Sequence, residues 1–105
     1  MNYPLKILHL TLKKKWFDLI ASGKKTMEYR EAKQYWRNRL LDGEDPKNFD
    51  VVRFKNGYGD VSTMDVQFKG IFFTGPEWCT PKHGEVLTGD TIVIKLGKVL
   101  GITQK

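Results

Sequence analysis

The 105 residues of this chain point to one domain, spanning residues 1–105, with one modest core, since a chain of that length buries only roughly 60–70% of its unfolded surface. Apolar residues at 40% and aromatics at 12% exclude a disordered chain, a single cysteine excludes an internal disulfide framework, and no apolar run approaches the roughly 20 residues of a membrane span. The charge of +6 is polarised, with ten basic and three acidic residues in 1–41 against eight and nine in 42–105, so one surface gathers anions, of which nucleic acid is the commonest polymer.

Residues 4–12 (PLKILHLTL) read as a strand, because Leu8, Leu10 and Leu12 recur with period two. Residues 13–22 then read as a short helix: Trp16, Leu19 and Ile20 stand at i, i+3 and i+4, and Gly23 supplies the stop. Three lysines, Lys13–Lys15, open that helix against its own dipole, an arrangement suited to an anion facing them. Residues 26–31 read as a second strand with Met27 and Tyr29 on one face and Thr26, Glu28 and Arg30 on the other. The alternation predicts that the Met27/Tyr29 face packs and the charged face lines a polar groove.

A second helix over 32–41 is rich in Lys33, Tyr35, Trp36, Arg37 and Arg39. Gly43 and Pro46 make 42–48 a surface loop. Residues 49–55 (FDVVRFK) form a third strand closed by the Asn56-Gly57 turn, and 64–74 a long fourth strand bent at Gly70. Residues 75–88, with Pro76, Trp78 and Pro81, read as irregular, and 91–96 with 98–102 as one or two closing strands hinged at Gly97. Five or six short strands with two early helices predict an α+β fold, a small mixed β-barrel.

Chemistry concentrates at Gly23-Lys24-Lys25-Thr26-Met27-Glu28-Tyr29-Arg30. Glu28 and Arg30 lie two apart on one strand face, about 7 Å between Cα atoms, within reach of each other. Lys25 and Arg30 are suited to hold a phosphate or polarise a carbonyl; Glu28 is suited to accept hydrogen bonds from a base edge or to activate water. Trp16, Tyr29 and Trp36 offer stacking faces, and Lys33 with Arg37, an i, i+4 pair, extends a phosphate track. The candidate ligand-binding set is therefore Lys24, Lys25, Thr26, Glu28, Arg30, Lys33, Trp36 and Arg37, with Lys25, Glu28 and Arg30 as the catalytic candidates.

Other signals carry less. Cys79 and His83, with His9 elsewhere, are too few for a structural zinc, and Cys79 lacks the orienting partner a nucleophile needs. No metal or cofactor is expected. NGYGD (56–60) lacks the strand-to-helix passage of a phosphate loop and reads as a turn.

The segment G-x-K-x-x-E-x-R, with Gly23, Lys25, Glu28 and Arg30 at its four fixed positions, resembles the signature of the ASCH domain, a member of the PUA-like superfold, and the chain resembles a small single-domain bacterial or phage-type member of that family. The opening LHLTLKKKWFDLIASGKKTMEYRE, the segment FDVVRF and the ending GDTIVIKLGKVL are similar to the family's strand–helix–strand start and later barrel strands. The resemblance implies a barrel of five to six strands with two helices at its mouth, a cleft holding the signature residues, and an RNA or modified-nucleotide ligand. Some members of the family are hydrolases, acylcytidine amidohydrolases or ribonucleases. In the amidohydrolases a Lys, a Thr three residues later and a distant Glu act; Lys25 matches the Lys, Glu28 stands where the Thr would be, and Asp65, Glu77 and Glu85 are the candidates for the distant carboxylate. The expectation is thus a cytoplasmic, monomeric nucleotide- or RNA-binding domain without membrane contact, with a hydrolase or a protein-interaction module as the alternatives.

Overall fold

Two long strands and a break in their register set the shape of the molecule. The computed structural model describes residues 5–59, 61–75 and 89–104; the predicted irregular segment, with Glu77, Trp78, Cys79, His83 and Glu85, and the predicted strand start at Pro4 lie outside them. The elements run β1 (Ile7–Leu12), α1 (Lys14–Ala21), β2 (Met27–Glu31), α2 (Gln34–Leu40), β3 (Leu41–Asp42), β4 (Asp45–Pro46), β5 (Val51–Asn56), β6 (Thr63–Thr74) and β7 (Thr91–Thr103). Five strands form one mixed sheet in the order β1-β5-β6-β7-β2. Only β1 and β5 are parallel; the other neighbours run antiparallel.

Register shifts between Asp65 and Gly70 bend β6 against β7, because an extra residue on one strand kinks it and raises its twist. Gly70 takes φ +133° at the last of these shifts, the bend that its missing side chain predicts. β7 continues through Gly97 as one strand. The sheet curls into a half-barrel, so the α+β class holds and the barrel is open between its two edge strands, β1 and β2.

The concave side is the core. Leu8, Leu10 and Leu12 of β1 are all 4% exposed or less, and they meet Val52, Phe54, Met64, Val66, Ile92 and Ile94, none of which is exposed at all. Helix α1 adds Phe17 and Ile20, and the end of α2 adds Leu40. The predicted loop at 42–48 contains a two-residue hairpin instead, β3 with β4, turning at Gly43. Among the described residues no helix is long and apolar enough to cross a membrane.

Candidate functional site at the open seam

The seam between β1 and β2 is where the backbone has no neighbouring strand. On β1 the even-numbered carbonyls face β5: Lys6 O accepts from the Asp50 amide and Leu12 O from the Gly57 amide, both at 2.8 Å. The odd-numbered carbonyls point the other way and take guanidinium donors. Arg39 of α2 donates through Nη2 to His9 O at 2.8 Å, and Arg30 of β2 through Nη2 to Thr11 O at 3.4 Å. Arg30 also donates through Nη1 to its neighbour's carbonyl, Tyr29 O, at 3.0 Å. Arg30 thus links β2 to β1 across a part-buried contact, and Arg39 ties α2 to the same edge at an exposed one, each giving an edge carbonyl a donor where no strand supplies one.

Arg30 is held by its own G-x-K-x-x-E-x-R segment. Helix α1 ends in a turn where the Gly23 amide bonds Ile20 O and the Lys24 and Lys25 amides bond Leu19 O. Gly23 has φ +80°, a conformation that L side chains rarely adopt, and the turn swings the chain into β2. Glu28 pairs with Ile94 of β7, and Arg30 with Ile92, so both charged residues share the core-facing side of β2. The charged face of this strand is therefore its inner face, the reverse of the packing expected from its apolar alternation. Glu28 is 3% exposed. Its Oε2 accepts from Arg30 Nη1 at 2.8 Å, and its Oε1 faces Lys25 Nζ at 3.6 Å and the Tyr29 amide at 3.2 Å.

Lys25, also 3% exposed, sits over two rings, its ammonium 4.6 Å from the Tyr29 centroid and 5.3 Å from that of Trp16. Such desolvated cation–π contacts are worth about 2 kcal/mol. The Arg30 guanidinium lies 4.9 Å from the Trp36 ring, and Arg39 lies 5.4 Å from the same ring and 5.8 Å from Tyr35. Tyr35 meets Trp36 edge-on.

Outside this layer opens a cleft of about 470 Å³, lined by His9, Thr11, Leu12, Lys13, Trp16, Arg30, Tyr35, Trp36, Arg39 and Tyr58. Of the sequence-derived site residues, Arg30 and Trp36 line it. Lys25 and Glu28 are not among the residues that line it: Glu28 is paired with Arg30 from behind, and Lys25 with Glu28. Lys24 and Thr26 are exposed on the turn into β2. Lys33 pairs with Glu31 at 3.4 Å on the surface. Arg37 turns to the other side of α2: it donates through Nε to Ala32 O at 2.8 Å and lies 4.8 Å from the Phe73 ring. The structure therefore does not bring Lys33 and Arg37 to the cleft. Asp65 is bound bidentately by Arg53 across β5 and β6.

Lys13, one of the three lysines expected to face an anion, does line the cleft, whereas sequence reasoning assigned no role there to Arg39, His9, Tyr35 or Tyr58. A signal for part of the set exists: Tyr35, Trp36 and Arg39 fall at i, i+1 and i+4, one side of a helix. His9 and Tyr58 carry none, because the curl of the sheet alone brings them together. No known protein-family model matches the chain, and a search of curated proteins finds no relative.

Proposed function

We propose that the chain is an ASCH-type, PUA-like domain that binds single-stranded RNA or a modified nucleotide in the seam cleft. The observation that carries this reading is the chemistry of the lining: Lys13, Arg30 and Arg39 beside Trp16, Tyr35, Trp36 and Tyr58, with no carboxylate among the described residues that line it. Cations hold phosphate and aromatic faces stack bases, the two contacts from which sequence-tolerant single-strand binding is made. The segments that resemble the ASCH signature support it from another direction, because they build the layer that positions Arg30.

Glu28 has both oxygens engaged by Arg30, Lys25 and a backbone amide. A general base needs an oxygen within reach of the proton it removes, so the balance favours binding over the hydrolase alternative. The test is a backbone amide NMR titration with a short single-stranded RNA, repeated with N4-acetylcytidine. Shifts centred on Lys13, Trp16, Trp36 and Arg39, weakening as salt is raised, are the expected result, and Arg39→Ala is expected to weaken binding about tenfold. Release of acetate and cytidine would instead establish the hydrolase. Silence with both ligands would leave a protein-interaction module.

A further inference from the structure

The turn joining β5 to β6 holds a tyrosine with almost no packing. Tyr58 is 88% exposed, more than any other large apolar side chain among the described residues. A single exposed apolar residue is ordinary on a protein surface, but this one stands at the mouth of the seam cleft with Trp16, Trp36 and Arg39.

The turn is fixed at its feet by backbone hydrogen bonds. The Gly57 amide donates to Leu12 O at 2.8 Å and the Asn56 amide to Ser62 O at 3.0 Å. Leu12 directly precedes Lys13, so the turn is tied to the residues that open the cleft. Tyr58 itself is flanked by Gly57 at φ +87° and Gly59 at φ +90°, and a Cβ added at either glycine would meet no atom within 4 Å. Only glycine takes such angles without strain, so the two glycines are what place the ring where it stands. An aromatic at the mouth of a cationic cleft, 88% exposed among the described residues, is suited to a planar partner that brings its own negative charge.

We propose that Tyr58 stacks on an unpaired nucleobase whose phosphate is held by Lys13 and Arg39. The inference rests on the nucleotide-binding reading and deepens it: recognition runs through a base with a free face, so single strands and free nucleotides bind in preference to duplex. In a duplex both faces of each base are covered by its stacked neighbours, and extruding one costs energy.

The experiment is equilibrium binding of a dye-labelled, short mixed-sequence single-stranded RNA, of the same strand in a duplex, and of the same strand carrying abasic sites. Wild type is compared with Tyr58→Ala, Tyr58→Phe and Arg39→Ala. Tyr58→Ala is expected to weaken single-strand binding about tenfold with an unchanged Tm, since Tyr58 is 88% exposed, while Tyr58→Phe binds as wild type. Abasic RNA is expected to erase the difference between wild type and Tyr58→Ala. If Tyr58→Ala binds as tightly as wild type while Arg39→Ala is weakened, the stacking role is wrong and the cleft reading stands. Equal losses in Tyr58→Phe and Tyr58→Ala would show that the hydroxyl acts and the ring face does not, which also overturns it. If wild type binds none of these RNAs, both readings fall together.

Discussion

Two arginine–carboxylate pairs stand on one sheet in opposite surroundings. Glu28 and Arg30 share the inner face of β2, with side chains 4% and 16% exposed and Lys25 as a third charge at 2%. Arg53 and Asp65 are cross-strand partners of β5 and β6, 37% and 33% exposed. Judged by contact geometry alone the outer pair is the better one, with two bonds at 2.7 and 2.9 Å against one at 2.8 Å. Solvent reverses that order. A half-exposed pair exchanges hydrogen bonds with water for hydrogen bonds with itself and gains little. A buried carboxylate has no such alternative, so its cations become indispensable to it and it to them. The inner group is therefore the one whose disruption the whole molecule feels, although it is not inherently the stronger interaction.

The largest expected effect follows from Glu28→Gln. The change is nearly isosteric but leaves Lys25 and Arg30 facing a neutral amide in a buried layer. Removing one partner of a buried ion pair costs about 3–5 kcal/mol, which in a chain of this size lowers Tm by more than about 10 °C. Thermal unfolding followed by circular dichroism measures it. A Tm within a degree or two of wild type would mean that water reaches Glu28 and that the two pairs do not differ as argued.

Arg30→Lys asks whether charge or fork geometry matters at the seam. Lysine keeps the positive charge against Glu28, yet its single nitrogen replaces the two that Arg30 uses, Nη1 for Glu28 and Tyr29 O and Nη2 for Thr11 O, and so lacks the fork that spans these acceptors. Losing two hydrogen bonds of this kind is expected to cost about 1–3 kcal/mol. Amide exchange at β1 and β2 is expected to quicken before the rest of the sheet. Uniform acceleration across all strands would show that Arg30 serves the core and not the seam.

These residues also show what is legible in the chain and what is not. β1 and α1 can be read from local pattern, since three alternating leucines and the Trp16/Leu19/Ile20 spacing each report one buried face. The pairing of Glu28 with Arg30 is equally local, two residues apart on one strand. The direction of that pair is not. Met27 and Tyr29 look like the packed side, and only the register of β2 on Ile92 and Ile94 turns the charges inward, a decision made some 60 residues downstream. Arg39 reaches the carbonyl of a residue 30 positions earlier, a contact that exists because the sheet curls. Arg37 and Arg39 are indistinguishable by composition, and two residues of helix, about half a turn, send them to different sides. The G-x-K-x-x-E-x-R segment thus builds the layer behind the cleft, while most of the lining comes together only through the curl of the sheet.

The outer pair supplies the smallest effect and the control for the rest. The hydrogen bonds from Arg53 hold the Asp65 carboxyl below its ordinary value of 3.8, with the nearby positive charges adding to the shift against a partial desolvation. A depressed carboxyl contributes stability that is fully present above its unfolded pKa and disappears as the pH falls through the folded value. Asp65→Asn is therefore expected to lower stability by less than about 1 kcal/mol near neutral pH. Below about pH 3 the unfolded carboxyl is already protonated and the difference from wild type shrinks towards nothing. Concentrated salt is expected to erase it too, because the pair lies within reach of counterions, whereas the Glu28→Gln difference persists under salt. A Tm series for both variants against pH and ionic strength makes the check. If the Asp65→Asn difference survives acid and salt, the side chain acts through packing between β5 and β6, and exposure is not what separates the two pairs.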